Sequence, residues 1–168
     1  MKSLSALICV KIWHNQMKME RLRLLGLDYG DKTIGVAVSD DLFLTAQSVE
    51  VIRRENAQSF KKSIARLSEL IKTYGVTAIV LGYPKNMDNS EGARCQITLE
   101  FKARLERNFK KTPVILWDER LSTAAADRAL AALARKARGS VIDKVAAAVI
   151  LQSFMDAENA KKENEENA

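Results

Sequence analysis

Cysteine and histidine are scarce in this 168-residue chain, and each scarcity removes a class of function. The two cysteines, Cys9 and Cys95, have neither the paired spacing of a disulfide framework nor that of a thiolate metal site. Each reads as a small apolar residue in a reducing cytosol. The one histidine, His14, falls in the first 18 residues, so imidazole general-base chemistry has no candidate in the body of the chain. No window approaches the ~20 uncharged apolar residues of a membrane span, and a cytoplasmic location without membrane partners is expected. Leu4 to Val10 faintly imitates a secretory signal behind Lys2, but Lys11 follows at once and no small-x-small cleavage site is present. Met17 and Met19 stand just before Glu20-Arg21-Leu22-Arg23. Residues 1–18 are therefore expected to be an extension from an upstream start codon, or a disordered arm, without function.

What is present suits a single α/β domain. Apolar residues make up 47% of the chain, and the length permits a core without staples. The net charge is +6, which permits an anionic partner, nucleic acid being the commonest, although many soluble domains are equally basic. The stretch Glu158 to Ala168 is net acidic and is expected to be a disordered tail, leaving residues 19–157 as the domain.

Leu24 to Asp28, a turn at Tyr29 to Thr33, and Ile34 to Ser39 predict strand, turn and strand. Gln47 to Ile52 predicts an edge strand, because polar residues interleave. The period then changes: Phe60, Ile64, Leu67, Ile71 and Tyr74 mark an amphipathic helix ended by Gly75. Thr77 to Leu81 is a continuous apolar strand of the buried parallel kind, followed by a polar loop from Gly82 to Gly92. Ala93, Ile97, Phe101, Leu105 and Phe109 form the stripe of a second helix. Val114 to Trp117 is a last strand, with Trp117 in the core, ending at Asp118-Glu119-Arg120. An alanine-rich helix from Ser122 or Thr123 to about Ala137 precedes a final helix from Asp143 to about Ala157. Three hairpin-joined strands and two helix-strand units predict a five-stranded mixed sheet with helices on its faces.

Three acidic sites terminate buried elements. Asp28 closes the first strand, Asp118 and Glu119 close the last, and Asp143 opens the final helix. The C-terminal ends of parallel strands are the usual functional edge of an open α/β sheet. Carboxylates gathered there would repel one another without cations. Mg²⁺ or Mn²⁺, two ions ~4 Å apart, would relieve that repulsion and support phosphodiester hydrolysis. Asp28 is the expected bridging ligand, with Glu119 and Asp143 at either side. Asp118 and Glu119 face opposite ways if the strand runs through both, so one of the two enters the site. Taken singly, each acid also suits a structural role: Asp28 a turn, Asp143 a helix cap, Glu119 a partner for Arg120. Proton transfer would fall to water activated by the cation, beside Lys144 or Lys32.

Leu27-Asp28-Tyr29-Gly30-Asp31-Lys32-Thr33-Ile34-Gly35-Val36-Ala37-Val38-Ser39 resembles the opening signature of the YqgF family of Holliday-junction-resolvase-like proteins and pre-16S rRNA 5′-end nucleases. Gly82 to Gly92 resembles the family's second motif, Asp118 to Thr123 its third, and Asp143 to Gln152 its closing helix. The four lie in the family's order from about Leu24 to Asp156. Asn89 stands where glycine is common in the family, and the extension before Met19 has no counterpart. The resemblance implies an RNase H-like fold, a divalent-metal site at Asp28, Asp118 or Glu119, and Asp143, a cytoplasmic location and a role in ribosome biogenesis.

Lys85 and Asn86, with the amides of their loop, are candidates to hold a phosphate, and Arg135, Lys136 and Arg138 to guide a strand toward Asp143. Lys32, Arg120 and Lys144 complete the expected nucleic-acid contacts. Arg94, Lys102, Arg104, Arg107, Lys110 and Lys111 decorate one helix, and most of them read as solvent-facing. Pre-rRNA and branched DNA both remain open as substrates, as do monomer and homodimer, since a resolvase needs two sites on opposite strands. An actin-like ATPase shares the Asp-x-Gly hairpin but needs two such domains. A non-catalytic nucleic-acid-binding module of the same fold is the other alternative.

Overall fold

The computed structural model describes residues 23–54, 59–84, 92–118 and 140–166, the last segment with side chains from 145 to 165. Five strands form one sheet: β1 (Arg23–Tyr29), β2 (Thr33–Ser39), β3 (Ala46–Arg53), β4 (Val76–Tyr83) and β5 (Val114–Asp118). Their order is β3-β2-β1-β4-β5. The first three pair antiparallel, while β1–β4 and β4–β5 pair parallel. The expected mixed sheet is thus found, with β1 central and β3 at an edge, where its polar residues meet solvent.

Helices α1 (Ser59–Tyr74) and α2 (Ala93–Asn108) precede β4 and β5, and α3 (Ser140–Glu166) follows the sheet. Gly75 ends α1 at φ 63°, a left-handed conformation that glycine adopts without a Cβ penalty. The sheet separates two cores. Leu25, Leu27, Val36, Ile79, Leu81 and Val114 meet Leu67, Phe101 and Leu105 on the α1/α2 side. Leu24, Ala37, Ala78 and Val80 meet Ala147, Leu151, Phe154 and Met155 on the α3 side. Alternation along each strand supplies both faces from one run, which is why β1 and β4 read as continuously apolar.

Two helices differ from the sequence expectation. In α2 the buried residues are Cys95, Thr98, Phe101 and Leu105, while Ile97 is 43% exposed. A strict i,i+4 row drifts around a helix of 3.6 residues per turn, and the face that docks follows the 95/98/101/105 row instead. The final helix does not stop near Ala157 but continues to Glu166. Glu158 is buried and ion-paired with Lys161 at 2.6 Å, and Asn159 Nδ2 donates to the Phe43 carbonyl at 3.0 Å. The acidic stretch is held by tertiary contacts that its charge conceals. The helix expected from Ser122 or Thr123 to about Ala137 lies outside the described residues.

Trp117 belongs to the α3-side core as expected. Its ring stands edge-on to Phe154, 5.3 Å between centroids, and Nε1 donates to Ser153 Oγ at 3.1 Å. Trp117→Phe keeps most of the apolar contact and loses that bond, so chemical denaturation should show a loss of about 1 kcal/mol.

The β2–β3 turn is organised by Asp40. Its carboxylate accepts from the Leu44 and Thr45 amides at 2.8 and 3.2 Å and from the Thr45 hydroxyl at 3.2 Å. Desolvation alone would raise the Asp40 pKa, but these three donors together outweigh it and hold the group below its ordinary value. A depressed folded-state pKa contributes stability that is complete above the unfolded value of about 4 and is lost as pH falls through the folded one. Protection of the Leu44 amide against hydrogen exchange should therefore persist to about pH 4 and fall below it, and Asp40→Ala should abolish that dependence.

Candidate active site

Asp28 occupies the last turn of the alternation in β1. Leu25 and Leu27 enter the α1/α2 core, and Leu24 enters the α3 core. Gly26 faces α3 so closely that a Cβ there would lie 2.8 Å from the Ala147 carbonyl oxygen. Two residues beyond Gly26, Asp28 projects on that same α3 face, and the side chain is partly buried.

Helix α3 descends across this face from the C-terminal edge of β1 to its N-terminal edge. Ala147 and Leu151 cross at Gly26. Gln152 then bonds the Ala46 amide at 2.9 Å and the Leu44 carbonyl at 3.0 Å, and Asn159 reaches Phe43. Those partners are the β2–β3 turn and the first residue of β3, which lie beside the start of β1, where the Leu24 amide donates to Ser39 Oγ at 2.9 Å. The first turns of α3, with the backbone of Asp143 and Lys144, consequently lie toward the edge where Asp28 stands, one residue before the end of β1. Lys32 is exposed in the β1–β2 turn at that edge.

Asp118 is two strands away and on the other face. Val114 and Leu116 pack on the α1/α2 side, and Ile115 and Trp117 on the α3 side. Alternation therefore assigns Asp118 to the side opposite Asp28, at the register position of Tyr83. Glu119, Arg120, Lys85, Asn86, Arg135, Lys136 and Arg138 lie outside the described residues, as do the side chains of Asp143 and Lys144. Among the described residues, no three His, Cys, Asp or Glu side chains gather as a metal site, and no helix is long and apolar enough to cross a membrane. Cys95 is buried, its Sγ 3.1 Å from the Pro84 carbonyl oxygen, consistent with a packing role.

Residues that sequence reasoning missed surround the turn after Asp28. Arg54, just past β3, stands 4.3 Å from the centroid of the Tyr29 ring and donates to the Tyr29 hydroxyl at 2.6 Å. Arg94, read from the sequence as solvent-facing, pairs with Asp31.

Residues 22–157 match the RuvX family, described as Holliday junction resolvase. The chain belongs to the RuvX family. Similar proteins include one from Agathobacter rectalis, 50% identical over 137 residues, covering 80% of this chain and 95% of that protein. A Geobacillus kaustophilus protein is 52% identical over 137 residues, with 80% and 98% covered, and a Bacillus subtilis protein 47% identical over 140 residues, with 82% and 100% covered. All three carry the name "Putative pre-16S rRNA nuclease". Among solved structures, Thermus thermophilus RuvC in complex with a Holliday junction substrate superposes with a TM-score of 0.56 at 16% identity, over 82% of this chain and 96% of that one. That likeness supports the RNase H-like fold implied by the four motifs. RuvX membership and the named relatives make this a nuclease, the activity that the motifs imply.

Proposed function

We propose that this RuvX family member hydrolyses a phosphodiester bond near the 5′ end of pre-16S rRNA at the edge where β1 ends, using Asp28, Glu119 and Asp143. The observation that carries the assignment is the descent of α3, which brings the backbone of Asp143 toward the edge occupied by Asp28. Glu119 is preferred to Asp118 because Trp117 faces α3, and one further step pair along the strand period returns to that face.

The expected donors are carboxylates alone, which fit a hard cation, and Asp28 presents its oxygens on the face that α3 crosses. Mg²⁺ or Mn²⁺, two ions in this reading, would supply positive charge to the phosphodiester oxygens and acidify the attacking water. The chain's own contribution is placement. Asp28 is fixed by a central strand hydrogen-bonded on both sides, with partners Gly35 on β2 and, one residue earlier, Leu81 on β4. Asp143 is carried by a helix packed along the same strand. Lys32 stands beside them to attract a phosphate, and Lys85, Asn86, Arg120, Arg135, Lys136, Arg138 and Lys144 are proposed to guide the strand.

The names of the relatives favour RNA, and the family description keeps a four-way DNA junction as the second reading. Purified protein with Mg²⁺ or Mn²⁺ should shorten a 5′-extended 16S transcript and leave a junction uncut at equal concentration. Symmetric cleavage of the junction by a stable homodimer, with the transcript intact, would replace the RNA reading. The proposed setting is the cytoplasm.

A further inference from the structure

Four successive backbone carbonyls follow Asp28, and each accepts a hydrogen bond from one of two arginines. Arg94 Nη2 reaches the Tyr29 oxygen at 3.5 Å. Arg54 Nη2 bonds the Gly30 oxygen and, at 2.8 Å, the Asp31 oxygen. The Arg54 amide donates to the Lys32 oxygen at 2.7 Å. Arg54 Nη1 takes the Tyr29 hydroxyl at 2.6 Å, and Arg94 Nη1 pairs with the Asp31 carboxylate. The Tyr29 ring is stacked on Phe101 at 3.8 Å and 10°, so the guanidinium of Arg54 takes its other face. Phe101 is 1% exposed and part of the α1/α2 core.

From this geometry we infer that Arg54 and Arg94 are positioning residues that lock the β1–β2 turn and thereby aim the Asp28 carboxylate. The inference rests on the nuclease reading of the Asp28 edge. Asp28 is adjacent to Tyr29, on the opposite face of the strand, so anchoring Tyr29 between Arg54 and Phe101 sets the rotation of the strand end. A carboxylate that must share cations with others needs its oxygens held within about 0.5 Å, which a hairpin end lacks by itself. The clamp comes from both sides: Arg54 leaves the end of β3, while Arg94 starts α2 directly after the 82–92 motif.

Ordinary stability is a poor account of Arg54. Among the described residues its side-chain acceptors are a phenol and two carbonyls, all neutral, and its Nε is buried with no hydrogen-bond partner. A buried N–H without a partner costs stability, so the position of this side chain asks for a further account. Only a planar fork spans three acceptors spread along a turn, a task for which lysine is no substitute.

The test uses the full chain with Arg54→Gln, Arg54→Lys and Arg94→Gln. Each variant is assayed for thermal melting, cleavage of a 5′-extended 16S transcript, Mn²⁺-induced broadening of backbone resonances at residues 28–30, and exchange of the Gly30 amide. That amide donates to the Thr33 oxygen at 2.9 Å and reports the turn directly. Arg54→Gln should raise the Mn²⁺ concentration for half-maximal cleavage and half-maximal broadening roughly tenfold or more, as loss of a ligand-orienting contact does. It should also speed Gly30 exchange and leave the KM for RNA within twofold. Arg54→Lys should fall close to Arg54→Gln, and Arg94→Gln should show a smaller shift in the same direction. An unchanged Mn²⁺ requirement in folded Arg54→Gln overturns the proposal, as does a raised RNA KM with metal demand intact, which would make Arg54 a substrate contact. Should Arg54→Gln not fold, unchanged broadening in both other variants overturns it equally. A wild type that binds Mn²⁺ at residues 28–30 but cuts nothing sinks the nuclease reading alone, since the broadening series still decides the clamp.

Discussion

Asp28→Asn should lower metal-dependent cleavage by at least about a hundredfold while leaving the fold intact. Asparagine has the same shape and keeps one carbonyl oxygen, so the space that the side chain fills is preserved. What it loses is the negative charge that attracts a hard cation. Cation chemistry at a phosphodiester is worth several kcal/mol of transition-state stabilisation, and each 1.36 kcal/mol is tenfold in rate. The sign of the stability change separates this account from a structural one. Carboxylates facing one another without cations repel, so removing one should leave the metal-free melting temperature unchanged or higher. The gain in melting temperature that Mg²⁺ gives the wild type should disappear. Glu119→Gln should follow the same pattern, and Asp118→Asn, on the opposite face by alternation with Val114 and Leu116, should keep cleavage within a few fold. Cleavage by Asp28→Asn at a rate near that of the wild type would end the assignment.

The contrast between Asp28 and Arg54 marks what can be read from an uninterpreted sequence. Asp28 ends an apolar run and precedes Gly30, so the strand end, its turn and the acid at the edge all follow from local pattern. The same holds for β4, apolar from Ala78 to Leu81 because both faces are covered, and for α1, whose stripe ends at Gly75. Arg54 carries no such signature: its contacts with Tyr29 and Gly30 span 25 and 24 residues, and nothing beside Arg53 in the sequence distinguishes it. Arg94 faces solvent as expected, but its pairing with Asp31 is equally hidden in the sequence. It lies on a helix rich in exposed Lys and Arg, and only the placement of α2 against the β1–β2 turn distinguishes it from them. Ile97 does depart from expectation, an apolar residue at the expected spacing that the docked face of α2 leaves half exposed. Length of α3 is concealed by charge, because Asn159 is held by the Phe43 carbonyl, 116 residues away in sequence. The local pattern thus reports the elements and the edge proposed as catalytic, whereas the contacts around that edge arise only when distant segments meet.

Gly26→Ala is expected to destabilise the protein even though the usual effect of replacing glycine in a strand is the reverse. Glycine in a strand interior is entropically unfavourable, and alanine there normally stabilises. Here a Cβ would lie 2.7 Å from Leu151 Cβ and 2.8 Å from the Ala147 carbonyl oxygen. Neither atom can yield alone: one is fixed to the α3 backbone and the other is the backbone itself. The helix as a whole must withdraw, opening the core formed by Leu24, Val80, Leu151 and Phe154. Overpacking of this kind costs about 1–3 kcal/mol, read as a drop of several degrees in melting temperature. Leu151→Ala in the same chain should not restore stability, because the Cβ and the carbonyl oxygen both persist. Activity should fall further than the lost folded fraction explains. Withdrawal of α3 carries the backbone of Asp143 away from Asp28, and a displacement near 1 Å at a reacting centre can cost about a hundredfold in rate. A rise in melting temperature in Gly26→Ala, or full activity at a temperature where it remains folded, would mean that the close crossing of α3 over β1 is not what holds the two acids to one edge.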